Sequence, residues 1–300
     1  MAAAGDRVKV ISKKGYEEGV LMPSFDKNSI ILKLDNGYNV GFEKKEVVKI
    51  VVLEKAAAKK KSSLKMTKNP HLPAIAILHT GGTIASKVDY RTGGVAAEFG
   101  PEELLSLFPE LKDIANIESE LIAQMWSDDL RFAHFSLIAA AIERHMKKGV
   151  KGIIIGMGTD NLAVASAALS FIVEKSPVPI VFVGAQRSSD RGSSDAAMNL
   201  ICAAEFALNA DFGGVAICMH KSASDTSCLI LSGIKTYKLH SSRRDAFKSV
   251  NDLPVARVDY KTREITFLQK NYSRRADKLV LKQKMEDKVG LLKIHIHMIP

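Results

Sequence analysis

The chain has 300 residues, 46% hydrophobic and 25% charged, which is ordinary globular material with enough apolar content for one large core and a small one. No apolar run approaches the roughly 20 residues that cross a bilayer, and Met1-Ala2-Ala3-Ala4-Gly5-Asp6-Arg7 lacks the apolar stretch of a signal peptide; a membrane span is excluded, and a soluble cytoplasmic protein is expected. The formal charge of +10 is unevenly spread: residues 1–72 hold 15 Lys and Arg against 8 Asp and Glu, so a polyanion such as RNA is one partner for the N-terminal part and a merely solvated face is the alternative.

Residues 1–53 alternate short β-type runs with turn residues. Arg7–Ile11, Ser29–Leu34 and Tyr38–Phe42 are the runs, and Asp35-Asn36-Gly37 supplies the positive φ angles of a tight hairpin. A small SH3-like β-barrel is expected there. Residues 54–72, with Lys59-Lys60-Lys61-Ser62-Ser63, have no hydrophobic period and read as a basic linker.

From Pro73 the pattern changes. Ala74–Leu78, Gly152–Ile155, Ile180–Val183 and Gly214–Cys218 are apolar and branched, as in strands buried on both faces. Between them Phe135, Ile138, Ile142 and Met146 recur at helical spacing, as do Leu162, Ala165, Ala168, Leu169 and Ile172. Alternating strands and helices over residues 73–287 predict a parallel α/β sheet, whose functional residues gather beyond the carboxyl ends of the strands. Cys202, Cys218 and Cys228 form an odd set without CxxC or metal-ligand spacing, so reduced structural thiols are expected. Residues 288–300 alternate Leu292, Ile294, Ile296 and Met298 with polar positions, the pattern of a strand.

Polar clusters follow three of the buried runs. Leu78-His79-Thr80-Gly81-Gly82-Thr83-Ile84 brings a hydroxyl to a strand end on a glycine turn. It could cradle a phosphate, but it lacks both GxGxxG and the lysine of a P-loop. Gly156-Met157-Gly158-Thr159-Asp160 places a second hydroxyl with a carboxylate at the same edge. Gly184 to Asp195 is a third loop, dense in small polar groups, leading into a helix that Ser or Asp would cap. A threonine nucleophile needs a base, and a buried lysine oriented by a carboxylate is one solution.

Thr80-Gly81-Gly82-Thr83-Ile84-Ala85 together with Gly158-Thr159-Asp160 and Gly184-Ala185-Gln186-Arg187 resembles the L-asparaginase/glutaminase family. The preceding barrel, Val183–Arg191 and Leu239–Phe247 extend the resemblance over nearly the whole chain, and toward archaeal members that serve tRNA-dependent amidotransferases. The resemblance implies Thr83 as attacking group, Thr159, Asp160 and Lys238 as a proton-handling set, Tyr90 on a lid, and Ser127 and Asp128, after a strand ending at Trp126, as grips on the amino-acid end of glutamine. It implies no metal and no cofactor in this chain, with ATP and Mg2+ used by a partner, the amidotransferase's E subunit, that activates Glu-tRNA(Gln); the tRNA(Gln) enters through the complex, and a homodimer or heterotetramer is expected. It also implies that the family's second, C-terminal domain is largely absent, 288–300 being its first strand.

The family usually has His and Thr where this chain has Met157 and Asn161, and altered packing or rate is expected from those two. Other readings stay open in the sequence. Lys235 competes with Lys238; Thr83 and Thr159 could merely satisfy backbone groups; His79 and His240 read as structural hydrogen-bonders, and Arg243 and Arg244 as a solvated or partner-facing pair rather than substrate ligands. A free-standing asparaginase and a non-catalytic scaffold are the alternative functions, and the barrel and basic linker favour the glutaminase subunit of the amidotransferase over them.

Overall fold

The computed structural model describes residues 2, 5–22, 28–34, 39–55, 69–81, 87–88, 95–96, 107–187 and 194–298. Thr83, Tyr90, the Asp35-Asn36-Gly37 turn and residues 56–68 of the expected linker lie outside that set. The chain divides into two compact units, Met1–Met66 with Ser86–Glu98, and Thr67–Ala85 with Phe99–Pro300.

The first unit is a five-stranded antiparallel sheet of β1 (Arg7–Ser12), β2 (Gly15–Met22), β3 (Ser29–Lys33), β4 (Asn39–Glu43) and β5 (Val47–Glu54), in the order β4-β3-β2-β1-β5. Two of these, β2 and β5, were not apparent in the sequence. Glu17 and Glu18 lie exposed in β2, so its alternation is weak. Val8, Val10, Ile30 and Leu32 form the buried cluster, from alternate positions of two strands. Two short strands, β7 (Lys87–Val88) and β8 (Val95–Ala96), pair with each other.

The second unit is built on one mixed sheet. Its strands are β6 (Ala74–His79), β9 (Asn116–Leu121), β10 (Gly152–Gly156), β12 (Ile180–Val183), β13 (Val215–His220), β14 (Ser227–Ser232), β17 (Ala256–Asp259) and β18 (Ile265–Phe267), in the order β18-β17-β14-β13-β12-β10-β6-β9. The five from β9 to β13 run parallel, as the sequence implies, and the remaining three are antiparallel. β10 explains the continuous apolar runs: all five of its residues are buried. Ile154 faces one core, while Ile153 and Ile155 face the other. Each such side chain contributes about 1.5–3 kcal/mol on burial.

Helices α1 (Phe132–Lys147) and α2 (Leu162–Ile172) pack on the face that carries Ile153, and α3 (Ala196–Asn209) on the other. The helical spacings read from Phe135 and Leu162 correspond to the buried stripes of α1 and α2. Two hairpin pieces lie outside the main sheet: β11 (Val173–Lys175) pairs with β19 (Val280–Leu281), and β15 (Thr236–Lys238) pairs with β16 (Phe247–Ser249).

Three local expectations are corrected. The strand before Ser127 ends at Leu121 and not at Trp126; the residues between have no regular structure and continue beside the end of β6, Ile122 N–H donating to His79 O at 2.8 Å. Of the Ser and Asp expected to cap α3, Ser194 Oγ accepts the Ala196 N–H at 3.2 Å, while Asp195, at the N-cap, turns its carboxylate back to the 184–187 turn. Residues 288–298 form no strand, because an alternating segment needs a ladder partner and none of the described strands lies beside it; Leu291, Ile294 and Ile296 are exposed. Among the described residues, no helix is long and apolar enough to cross a membrane.

Candidate active site

The carboxyl ends of β6, β10 and β12 meet at one edge of the sheet. β6 leads into Thr80, whose N–H donates to Gly156 O at 3.0 Å while its own carbonyl accepts Met125 N–H at 3.2 Å. Gly81 follows with φ +102°, and a Cβ there would stand 2.5 Å from Met125 O, so only glycine fits at this position. His79, just before it, is buried, with Nε2 3.1 Å from Ser119 Oγ. Burial lowers its pKa to about 4, keeping the ring neutral. The expectation of a structural histidine fits that environment.

The end of β10 supplies Thr159 and Asp160. Lys238 reaches them from the last position of β15: its Nζ donates to Thr159 Oγ1 at 2.8 Å and to Asp160 Oδ1 at 2.7 Å. The lysine side chain is 10% exposed, whereas Lys235 is 47% exposed and pairs with Asp252 at 3.4 Å. Of the two lysines left open in the sequence, Lys238 is the one whose amine reaches Thr159 and Asp160. Lys238 stands at the β15–β16 ladder opposite the buried Phe247, and Lys235 precedes the strand.

Ser127, buried, and Asp128, exposed, sit on a short 3-10 turn beside the same strand ends. Asn161 holds this turn: its Nδ2 donates to Ser127 O at 2.8 Å and its N–H to Ser127 Oγ at 3.4 Å. Asn161 is thus spent on the turn rather than on capping α2. Met157, the other departure from the family pattern, is fully buried in the core against which α1 and α2 pack.

Beyond β12, Thr159 Oγ1 donates to Gln186 Oε1 at 3.0 Å. Gln186 was quoted in the motif without a role, because an amide carries no titration signature. Arg243 and Arg244 each find an aspartate: Arg243 pairs with Asp245 through two bonds of 3.0 and 2.9 Å, and Arg244 with Asp225 at 2.7 Å. Burial pushes the Asp245 carboxyl up, but hydrogen bonds from Lys248 and Arg243 outweigh it and hold its pKa below the usual carboxylate range. His240 Nδ1 accepts the N–H groups of Ser242 and Arg243, a loop-shaping role.

An open hollow of about 550 Å³ adjoins the set, lined by Asp160, Val164, Tyr237, Lys238 and Leu239. A larger one, about 660 Å³, bounded by Met146, Val150, Val178 and Leu281, has no hydroxyl–carboxylate–amine set and is not where this chemistry is placed. Cys202, Cys218 and Cys228 are free and buried, as expected of structural thiols. The structure therefore brings together Thr159, Asp160 and Lys238, with Ser127 and Asp128 joined to them through Asn161. An amine donating to a hydroxyl at a strand end, braced by a carboxylate, suits proton transfer to and from a neighbouring nucleophile.

Residues 74–272 match the family described as Asparaginase, N-terminal, and residues 2–53 match the GatD N-terminal domain. The chain is 46% identical over 292 residues to the D subunit of glutamyl-tRNA(Gln) amidotransferase from Archaeoglobus fulgidus, covering 96% of this chain and 68% of that protein. It is 43% identical to the D subunit from Pyrococcus furiosus, covering 97% and 68%. Among solved structures, the thermostable L-asparaginase from Thermococcus kodakarensis is similar with a TM-score of 0.62 and 29% identity, over 71% of this chain and 61% of that one. The chain thus spans about two thirds of the curated relatives and somewhat less of the solved asparaginase.

Proposed function

This chain belongs to the asparaginase family, in the branch of the amidotransferase D subunits, and we propose that it is a glutaminase that supplies ammonia for converting Glu-tRNA(Gln) to Gln-tRNA(Gln). The observation that carries the catalytic part of this reading is the Lys238–Thr159–Asp160 set at the strand ends, with bonds of 2.8 and 2.7 Å.

In this reading the Thr83 hydroxyl attacks the side-chain amide carbon of glutamine. Its proton passes to the set formed by Thr159, Asp160 and Lys238, and backbone N–H groups at the glycine turns hold the oxyanion. The set returns the proton to the leaving nitrogen, and ammonia departs. Water then adds to the ester on Thr83, gives up its proton to the same set, and frees glutamate and the Thr83 hydroxyl. Ser127 and Asp128, braced by Asn161, hold the amino-acid end, and Tyr90 closes over it. These steps call on no metal or cofactor held by this chain.

The amidotransferase's E subunit is the proposed partner, using ATP and Mg2+ to activate the tRNA-bound glutamate that receives the ammonia. The first unit is proposed as a small SH3-like barrel, residues 54–72 as a linker, and the assembly as a homodimer or heterotetramer. Residues 288–300 are proposed to open the second domain that the family's asparaginases carry.

The test is ammonia release from glutamine and from asparagine by the full-length protein, with and without the E subunit and tRNA(Gln). Glutamine turnover that rises with the complex is expected. Preference for asparagine, indifferent to the complex, would favour a free-standing asparaginase, and release from neither a scaffold.

A further inference from the structure

Gln186 has no part in the steps above, yet it touches the centre of the set. Its Nε2 donates to Arg243 O at 2.9 Å and its Oε1 accepts the Thr159 hydroxyl at 3.0 Å. The Arg243 carbonyl can only accept, so the amide must turn its NH2 there and its oxygen to Thr159. On the other side of Thr159 Oγ1 stands Lys238 Nζ, a donor. The hydroxyl therefore points its proton at Gln186 and a lone pair at Lys238.

The base of Gln186 is fixed as firmly as its tip. Asp195, fully buried, accepts the N–H of Gln186 at 3.0 Å and that of Arg187 at 2.9 Å, and is itself bonded by Asn199 Nδ2 at 3.2 Å. Gly184 lets the Thr159 methyl lie against the turn: a Cβ there would stand 2.7 Å from Thr159 Cγ2. The carboxylate that fails to cap α3 thus holds the turn from which Gln186 reaches.

We infer that Gln186 is a positioning residue that acts through Thr159: it holds the Thr159 oxygen against Lys238 and accepts the hydroxyl's hydrogen bond whenever Lys238 is donating. This rests on the reading of Thr159 as a proton-handling group. A relay through Thr159 needs its oxygen to stay in place while its O–H turns between two acceptors: Gln186 Oε1, and the Lys238 nitrogen once that has given up a proton. A neutral carbonyl serves as the first acceptor without competing with Asp160 for the ammonium.

The experiment is a double-mutant cycle on the full-length protein in its complex, with kcat and KM for glutamine and the melting temperature measured for Gln186→Met, Thr159→Val and the pair. Gln186→Met is expected to lower kcat about tenfold to a hundredfold, with KM within about threefold and the melting temperature little changed. In the Thr159→Val background the same change is expected to alter residual turnover by less than about twofold, because the hydroxyl it acts through is gone.

A kcat within about twofold of the parent for Gln186→Met overturns the inference, as does an effect of equal size in both backgrounds or a fall in kcat matched by lost thermal stability. If Met is not accommodated, Gln186→Leu replaces it with the same outcomes. Normal turnover in Thr159→Val alone defeats the assignment of Thr159 itself; a disabled Thr159→Val beside a normal Gln186→Met defeats only the role of Gln186.

Discussion

The two units of this chain differ in how they bury their apolar residues, and with that in what they can hold still. In the first, four side chains, Val8, Val10, Ile30 and Leu32, make the buried cluster among the described residues. In the second, a sheet is covered on both faces by helices, and strands such as β10 and β13 are buried at every position. The hydroxyl of Thr159 and the carboxylate of Asp160 follow the fully buried β10, and each stands within 3 Å of the Lys238 amine that β15 brings to them. A sheet closed on both sides leaves its strand ends little freedom, and chemistry that needs fixed distances belongs there. The small unit, with a thin core and lysines on its surface, is better suited to binding.

The comparison is broken most severely by Lys238. Lys238→Ala should lower glutamine turnover by about a hundredfold or more while leaving the melting curve in place, because it removes the amine from the set. Lys235→Ala, three residues away and paired with Asp252, should leave turnover within about twofold of the parent. Equal effects would place the amine outside the mechanism.

Core substitutions sharpen the contrast between the units. Ile154→Ala in β10 should cost about 2–5 kcal/mol of stability and lower glutaminase activity with it, whereas Val10→Ala in β1 should cost about 1–3 kcal/mol and leave basal hydrolysis unchanged. Urea unfolding with activity measured alongside checks both. Loss of basal hydrolysis in Val10→Ala would show that the units are not separable in function.

Acid should act on the second unit through His79. Above about pH 6.5 the ring is neutral folded or unfolded; below it, the unfolded chain binds a proton that the buried ring refuses until about pH 4. The stability present above pH 6.5 is therefore lost as pH falls toward 4, by about 2 kcal/mol between pH 7 and pH 5. Denaturant unfolding of the parent and His79→Asn at the two pH values should differ by that amount. An identical pH dependence in both would remove His79 as the cause.

The smallest effect is expected in the first unit. Changing Lys13, Lys14, Lys45 and Lys49, all exposed, to Gln should weaken tRNA binding by the complex about tenfold at low salt and flatten its salt dependence, with basal hydrolysis unchanged. Unaltered binding would assign these lysines to solubility alone.

The legible parts of the fold were those where burial is continuous. Ile153-Ile154-Ile155 announced a strand covered on both faces, and the Phe135–Met146 spacing announced the stripe of α1. β2 went unread because Glu17 and Glu18 interrupt its alternation, and the antiparallel edge was missed because β17 and β18 are only four and three residues long. In the site, the turn after β10 was readable from its glycines and hydroxyl. Which lysine reaches it was not, since the answer depends on the β15–β16 pairing. Ser or Asp before α3 reads as a cap from its place in the sequence, but the Asp195 carboxylate accepts the N–H groups of Gln186 and Arg187 instead. Such competition between local and distant partners is invisible until the turns are folded together.

The proposed chemistry is cleavage of the glutamine amide by a threonine hydroxyl served by Lys238 and Thr159. Its most direct test is ammonia release from glutamine by the full-length protein in its complex, for the parent and for Thr83→Ala side by side, with folding checked by melting. The account predicts turnover in the parent and a loss of about a hundredfold or more in Thr83→Ala at an unchanged melting temperature; near-normal release by the folded Thr83→Ala protein would contradict it.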